Sequence, residues 1–484
     1  TGVQTCALPI FVSTCNNAKQ LIPEFQDIPI MIPNARVGMG DRPAASIMEH
    51  CKDLAAEEGK DVDPEAAERI KDDGYVDDGC TGGEDDQVER MMGRRVHESG
   101  EVEYRGTIPQ ILAKAGFSIK MMVRSGENPQ ASLDKMGGSV LGHKWDPLTD
   151  SLSFPLTFHL GKRNRSGAFE GDEITTDNLH LLAENPWTPS TVLSAIASQY
   201  DPSGQISPIT LKMRLFMREI LRKKKVEWKT PIPEELQRKW NEIIRELVSS
   251  PEVKIPRRTR PEKAAGHPEL VLMSDGSSVA YCAAAYLRWP LLTDEDGPWA
   301  EQLGVRKSYK SFLVLAKSRV TPVAGLSIPR SEMNGLLLSF KLAHTCLSAY
   351  KFAISDVRFL VDSECVIAAY KSEHGRIAPY LSNRRAEMLQ YVKLWNELYP
   401  DIVVHNPAHI PGHRNVADIG TRGLAAVEDV GADSEWMVGP SFLSFPVSSW
   451  PISESVSEEI PPRSEEHTSE LQSPCNLVCR LLLE

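Results

Sequence analysis

At 484 residues, with 41% hydrophobic and 25% charged side chains, the chain is long enough for two or three ordinary cores and shows no compositional mark of disorder or a fibre. Its net charge of -12 argues against a uniformly basic nucleic-acid binder, while leaving room for a local basic groove. No apolar run reaches the roughly 18 residues a membrane span needs, and no charged-then-apolar start marks a secretory leader, so no membrane partner is expected.

From Phe11 to Asp73 short apolar pieces alternate with proline and glycine, and the acidic stretch Ile47 to Lys71 is predicted to be helical. Gly74-Tyr75-Val76-Asp77-Asp78-Gly79 follows, an aromatic and a β-branched residue running into two acids and a glycine. That order predicts a hairpin holding Asp77 and Asp78 at a tight turn, where paired acids can hold Mg²⁺ under a nucleotide's phosphates. The same residues also read as an acidic surface turn. Residues 159–264 are predicted to be a connection, a linker followed by helices. Within it, Lys212, Arg214, Arg218, Arg222, Lys223, Lys224 and Lys225 lie beside an apolar stripe of Leu215, Phe216, Ile220 and Leu221. This basic face either neutralises nucleic-acid phosphates or is simply solvated. The basic, proline-rich run Pro251 to Pro261 is a candidate boundary.

The next stretch delivers four acids to the ends of predicted elements. Leu270-Val-Leu-Met-Ser-Asp275-Gly276 is a strand ending in a carboxylate; Val279 to Arg288 and Tyr309 to Ser318 are two more strands, with Leu291 to Gly304 as a loop between them. Ser327 is predicted to cap a helix with Pro329 in its first turn and Glu332 close behind. Val357 to Asp362 is a further strand ending in an acid, and Asp418 opens a late helix. Taken singly, each acid also reads as a turn residue, a cap or a first-turn acid. Together, four carboxylates that cannot neutralise one another invite hard divalent cations, Mg²⁺ or Mn²⁺, in the arrangement of two-metal phosphodiester hydrolysis. His405, His409 and His413 recur every four residues, but Pro407 and Pro411 prevent a helix there and no cysteine accompanies them, which argues against zinc. Cys15, Cys51, Cys80, Cys282, Cys346 and Cys365 are scattered without a Cys-x-x-Cys pair, as expected of reduced intracellular thiols.

The order Asp275, Glu332, Asp362, Asp418 on these elements resembles ribonuclease H. Further segments resemble polyproteins of BEL/Pao-type LTR retrotransposons: Gly40-Asp-Arg-Pro-Ala44, the Tyr75 to Asp78 turn, Ala115-Gly-Phe-Ser-Ile-Lys120, Leu141 to Trp145, Ser194 to Gly204 with Ser207-Pro208, Ala316 to Pro322 with Ser327 to Glu332, Asn415 to Asp418, and Trp436 to Leu443. The resemblance implies an α/β chain: an α+β palm fragment of a reverse transcriptase (11–158), a helical connection (159–264), an RNase H-like mixed sheet with helices (265–428) and a C-terminal extension (429–462). It implies hydrolysis of RNA in RNA/DNA hybrids with two Mg²⁺ or Mn²⁺ ions on Asp275, Glu332, Asp362 and Asp418, and His413 in proton transfer and product release. Tyr75, Asp77 and Asp78 would belong to an incomplete polymerase site with a template-primer as partner. The family's first polymerase aspartate has no match, since Asp27 lacks the setting, and Lys120-Met-Met-Val-Arg124 departs from the usual lysine-tryptophan pattern, so polymerase activity is not expected. The remainder of the polyprotein is an implied partner, and an intracellular, cytoplasmic virus-like particle the implied location. Two rivals remain, an inactive relic that only binds nucleic acid and a transposase- or integrase-like use of the same fold.

The ends resemble something else. Residues 1–10 and residues 463–472 are translations of one DNA string and of its reverse complement, a string similar to a short-read sequencing adapter, and Asn476 to Glu484 fit the remainder of that adapter after a short index. Residues 1–10 and 463–484 are therefore read as adapter-derived, with Cys6, Cys475 and Cys479 inside them, and the coding sequence as truncated at both ends.

Overall fold

The computed structural model describes residues 12–14, 31–33, 44–75, 78–79, 81–83, 85–96, 102–119, 122–126, 139–140, 143–161, 171–222, 227–291, 308–350, 352–372 and 377–453. Both adapter-like ends lie outside the described residues, as do Asp27, Asp77 and Lys223 to Lys225. The chain divides into two compact units, residues 1–153 with 255–257, and residues 154–254 with 258–484.

The first unit gathers short helices around a small core. Helices Ala44–Gly59, Pro64–Asp72, Asp85–Met92 and Thr107–Lys114 bury Ala56, Ala66, Ala67, Ile70, Met91, Ile108 and Ile111. Asp63 joins three of them: it accepts from the Ala66 amide at the start of its own helix at 3.1 Å, from Thr107 Oγ1 at 2.7 Å, and from Arg90. Gly74–Tyr75 pairs antiparallel with Asp78–Gly79, so the hairpin expected there forms; the side chains of Tyr75 and Asp78 are outside the description.

The second unit is built on a mixed sheet. Its strands are β1 (Glu269–Gly276), β2 (Ala280–Pro290), β3 (Tyr309–Val320), β4 (Asp356–Val361), β5 (Val403–Val404) and β6 (Ala408–His409). β1, β2 and β3 form an antiparallel meander, β4 lies parallel to β1 on its other side, and β5 and β6 both pair parallel with the outer edge of β4. The spatial order is thus β3-β2-β1-β4-β5. Its helices include α1 (Ser207–Leu221), α2 (Glu234–Ser249), α3 (Ile328–Ala349), α4 (Glu364–Lys371), α5 (Pro379–Leu398) and α6 (Ile419–Arg422).

Alternation along the strands separates two buried faces. Leu270 and Leu272 of β1, Ala283, Ala285 and Leu287 of β2, and Val357 and Phe359 of β4 pack with Leu336, Phe340, Ala343 and Trp395 of the helices α3 and α5. Phe340 stacks on Phe359 with ring centroids 4.0 Å apart at the centre of this layer. The opposite face, with Val271, Met273, Cys282, Ala284, Tyr286 and Arg288, is just as buried.

Part of residues 159–264, expected from the sequence to be a largely helical connection, lies against the edge of this sheet. Helix α1 and the loop before it lie against the edge strand β3: the Ala316 amide donates to Ser203 O at 2.8 Å, and Arg214 donates to Ser318 O at 2.7 Å. An open strand edge is thereby occupied by the chain itself. Gly204 permits the approach, since its φ is +76° and a Cβ there would sit 1.8 Å from Ala316 O. From the other end of the chain, Tyr286 OH donates to Trp436 O at 2.8 Å, and Trp436 Nε1 donates back to Gln205 O at 2.7 Å.

The basic face expected on α1 is rearranged for the same reason. Arg218 is buried and donates to Thr321 Oγ1 and Pro322 O, and Lys212 pairs with Glu246 of α2 at 2.6 Å. Met213, Phe216, Met217 and Ile220 form the buried stripe, whereas Leu215 is partly buried and Leu221 exposed. Ser327 does stand at the start of α3, but its side chain makes no capping bond.

Candidate active site

The carboxyl-terminal ends of β1 and β4 deliver Asp275 and Asp362 to one edge of the sheet, and the second turn of α3 brings Glu332 to the same place. One carboxylate oxygen from each lies within 4.8 Å of the others, a spacing that could hold a metal ion. Helix α3 reaches them because residue 276 is glycine: a Cβ there would meet the Glu332 amide nitrogen at 2.3 Å. Gly335 likewise lets the helix pass over the Asp275 carbonyl, which a Cβ would approach to 2.7 Å.

Electrostatics at this edge are one-sided. Burial pushes the Asp275 carboxyl up to about 6, with repulsion from Asp362 and Asp418 adding to it and the Thr421 hydrogen bond opposing it. Burial pushes Glu332 further, to about 8, reinforced by Asp275, Asp362 and Asp418. Repulsion from other carboxylates adds to burial at both groups, so the donor set is hard and anionic. Such a set fits a divalent cation.

Asp418, expected beside these three, does not join them within that spacing. It stands at the start of α6, where its Oδ1 accepts from Arg422 Nε at 2.7 Å. His413 is exposed in the turn Gly412–Arg414, next to Gly412, where a Cβ would come within 3.0 Å of Asp362 Oδ2. His405 and His409 are elsewhere, bonded to Asp356 and Ser453.

Two residues to which sequence reading gave no role hold the acids in place. Thr421, fully buried, donates to Asp275 Oδ2 at 2.6 Å. Asn415 donates to both Ser274 O at 2.8 Å and Asp362 Oδ1 at 3.0 Å, while its own carbonyl oxygen accepts from the Ala417 amide. Their partners lie over 50 to 140 positions away, so no local pattern marks them; the run from Asn415 to Asp418 was visible only as a motif. Close by on α3, Asn334 exchanges hydrogen bonds with Tyr380 OH, and Arg330 and Arg384 lie over the Tyr380 ring, 5.0 and 3.8 Å from its centroid.

A strand order of three antiparallel strands followed by parallel ones, with acids at the ends of β1 and β4 and on α3, defines an RNase H-like mixed α/β fold. In keeping with it, residues 188–363 match the family model of the Pao retrotransposon-like RNaseH-like domain, a span that takes in α1 and runs through Asp275, Glu332 and Asp362. No curated protein matches the chain. Among solved structures, it is similar to the N-terminal RNase H domain of rv2228c from Mycobacterium tuberculosis, at 14% identity over 31% of this chain and 86% of that one, with a TM-score of 0.21. Similar too are RNase H1 from the halophilic archaeon Halobacterium salinarum (16%, 31% and 89%, 0.19) and the foamy viral protease-reverse transcriptase in complex with dsDNA (12%, 66% and 56%, 0.16). The fold assignment rests on the strand order and the family match. No helix among the described residues is long and apolar enough to cross a membrane.

Proposed function

We propose that the chain hydrolyses the RNA strand of RNA/DNA hybrids at the edge formed by Asp275, Glu332 and Asp362. The observation that carries this reading is the convergence of three carboxylates, Asp275 buried and Glu332 and Asp362 partly so, the first two raised by burial and by the charges of other carboxylates. These three, with Asp418, would hold two Mg²⁺ ions, or Mn²⁺. Bound there, the ions supply the water activation and charge neutralisation that phosphodiester hydrolysis requires. Thr421 and Asn415 fix the orientation of Asp275 and Asp362, so that the donors are preorganised rather than gathered at the moment of reaction. His413, exposed and one residue after the Gly412 that packs close to Asp362, would hand a proton to the departing 3′-oxygen. Arg330 and Arg384, braced on Tyr380, offer a cationic surface next to Glu332 for backbone phosphates.

On this reading the nuclease unit includes α1 and the segment around Trp436 as well as residues 265–428. The first unit is the rear of a reverse transcriptase palm, supported by its hairpin of Tyr75 and Asp78, and no polymerase activity is assigned to it. The test is cleavage of a labelled RNA/DNA hybrid by the full chain with Mg²⁺, alongside Asp275→Asn and EDTA controls. Cleavage that both controls abolish is expected; a folded chain that binds the hybrid and leaves it intact would overturn the proposal.

A further inference from the structure

Asp418 sits near three acids it does not join, and the structure shows what occupies it. Its carboxylate is bonded to Arg422, one turn later on α6, with side chains 36% and 64% exposed respectively. The backbone around this pair is fastened on every side. Thr421 is bonded to Asp275 Oδ2, Gly420 packs so closely on β2 that a Cβ would lie 2.3 Å from Cys282 Sγ, and Gly423 ends the helix at a φ of +68°. Rotation of the Asp418 and Arg422 side chains is the movement this leaves. Arg422 also feels the charges of Asp275 and Asp362.

We propose that Arg422 is a latch: it holds Asp418 out of the carboxylate group while no cation is bound, and releases it to complete the ligand set when a divalent cation enters. The inference rests on the metal-binding reading above and adds an order of assembly to it. Three acids, fixed by β1, β4 and α3, form the standing part of the site; Asp418 is the part that moves. An exposed i,i+4 pair is weak, and therefore yields to a dication placed among four carboxylates, yet it is enough to keep Asp418 from adding its charge to an already repulsive group.

The measurement is Mn²⁺ binding by the full chain, followed through the electron paramagnetic resonance signal of the free ion, so that no turnover is involved. Arg422→Gln is expected to bind Mn²⁺ about three- to fivefold more tightly than the parent, because Asp418 no longer has to be freed. The same substitution in an Asp418→Asn background is expected to change little. Tightening that persists in full in that background would show that Arg422 acts through its field on Asp275 and Asp362, and the latch would be wrong. Unchanged or weaker binding by Arg422→Gln would also sink it. If Asp275→Asn loses binding while Arg422→Gln equals the parent, only the latch fails; if the parent and Asp275→Asn bind alike, the metal reading fails and the latch goes with it. Both residues are on the surface side of α6, and thermal melts of each variant confirm that folding is intact.

Discussion

The two ends of β1 and β4 hold the same kind of residue and treat it in opposite ways. At the starting end, Glu269 and Asp356 meet Arg288, Arg358 and His405: Arg288 bonds Glu269 at 2.8 Å, Arg358 reaches both acids, and His405 Nε2 lies 2.7 Å from Asp356 Oδ1. Burial raises the Asp356 carboxyl, but the bonds from His405 and Ser355 and the charge of Arg358 more than offset it, and the net shift is downward. At the finishing end, Asp275 and Glu332 are raised to about 6 and about 8 with other carboxylates as their company. One fold that neutralises acids at one end of a strand and concentrates them at the other shows that the second arrangement is not forced by the sheet. Unneutralised, buried carboxylates reduce stability, and such groups persist where function needs them.

The largest effect should come from removing a charge at the finishing end. Asp275→Asn is expected to cut hybrid cleavage by at least about a thousandfold while leaving the melting temperature equal or higher, since repulsion on Glu332 falls. A parallel loss of cleavage and stability would erase the contrast between the ends. At the starting end, Arg288→Met should cost roughly 3–5 kcal/mol in urea unfolding, because Arg288 is fully buried and also donates to Leu443 O and Phe445 O. There two carbonyls would be left without their donor, and Glu269 with Arg358 alone.

The ends should also differ in the sign of their pH dependence. A carboxyl raised on folding holds its proton more tightly in the folded chain, so its contribution is full below the unfolded value of 4.5 and is lost as pH rises through about 8 for Glu332. The metal-free chain is therefore expected to melt several degrees lower at about pH 8.5 than at about pH 6, and Glu332→Gln to flatten that difference. Thermal scans in EDTA decide it, and equal slopes for the parent and the variant would break the comparison.

Much of this edge was legible because strands covered on both faces appear as apolar runs, and both Asp275 and Asp362 end such runs. Pro329 and Glu332 marked the helix between them through position alone. What escaped depends on contacts distant in sequence. Arg214 and Arg218 read as part of a basic face, either solvated or on nucleic-acid phosphates, since arginine is seldom buried, and carbonyls 104 residues later draw them inward. Thr421 looked like an ordinary helix residue because Asp275, its partner, is 146 positions earlier. The Asp418 and Arg422 spacing was in plain view, but a pair at i,i+4 says nothing about which other acid it keeps waiting.

The smallest effect sharpens the comparison most, because it reverses the sign within one sheet. Asp356 is lowered from 3.8, so its contribution is present above that value and lost as pH falls through the folded pKa. Asp356 is partly exposed, so its bonds to His405 and Arg358 are partly screened, and Asp356→Asn should cost only about 0.5–1 kcal/mol at neutral pH. Once the pH falls below the folded pKa the penalty should vanish, since the parent carboxyl is then protonated as well. Urea titrations of parent and variant at neutral and acid pH measure the difference. A penalty that stays constant with pH would mean that Asp356 acts by packing rather than charge, leaving Arg288 and Glu269 alone to account for the neutral end of the sheet.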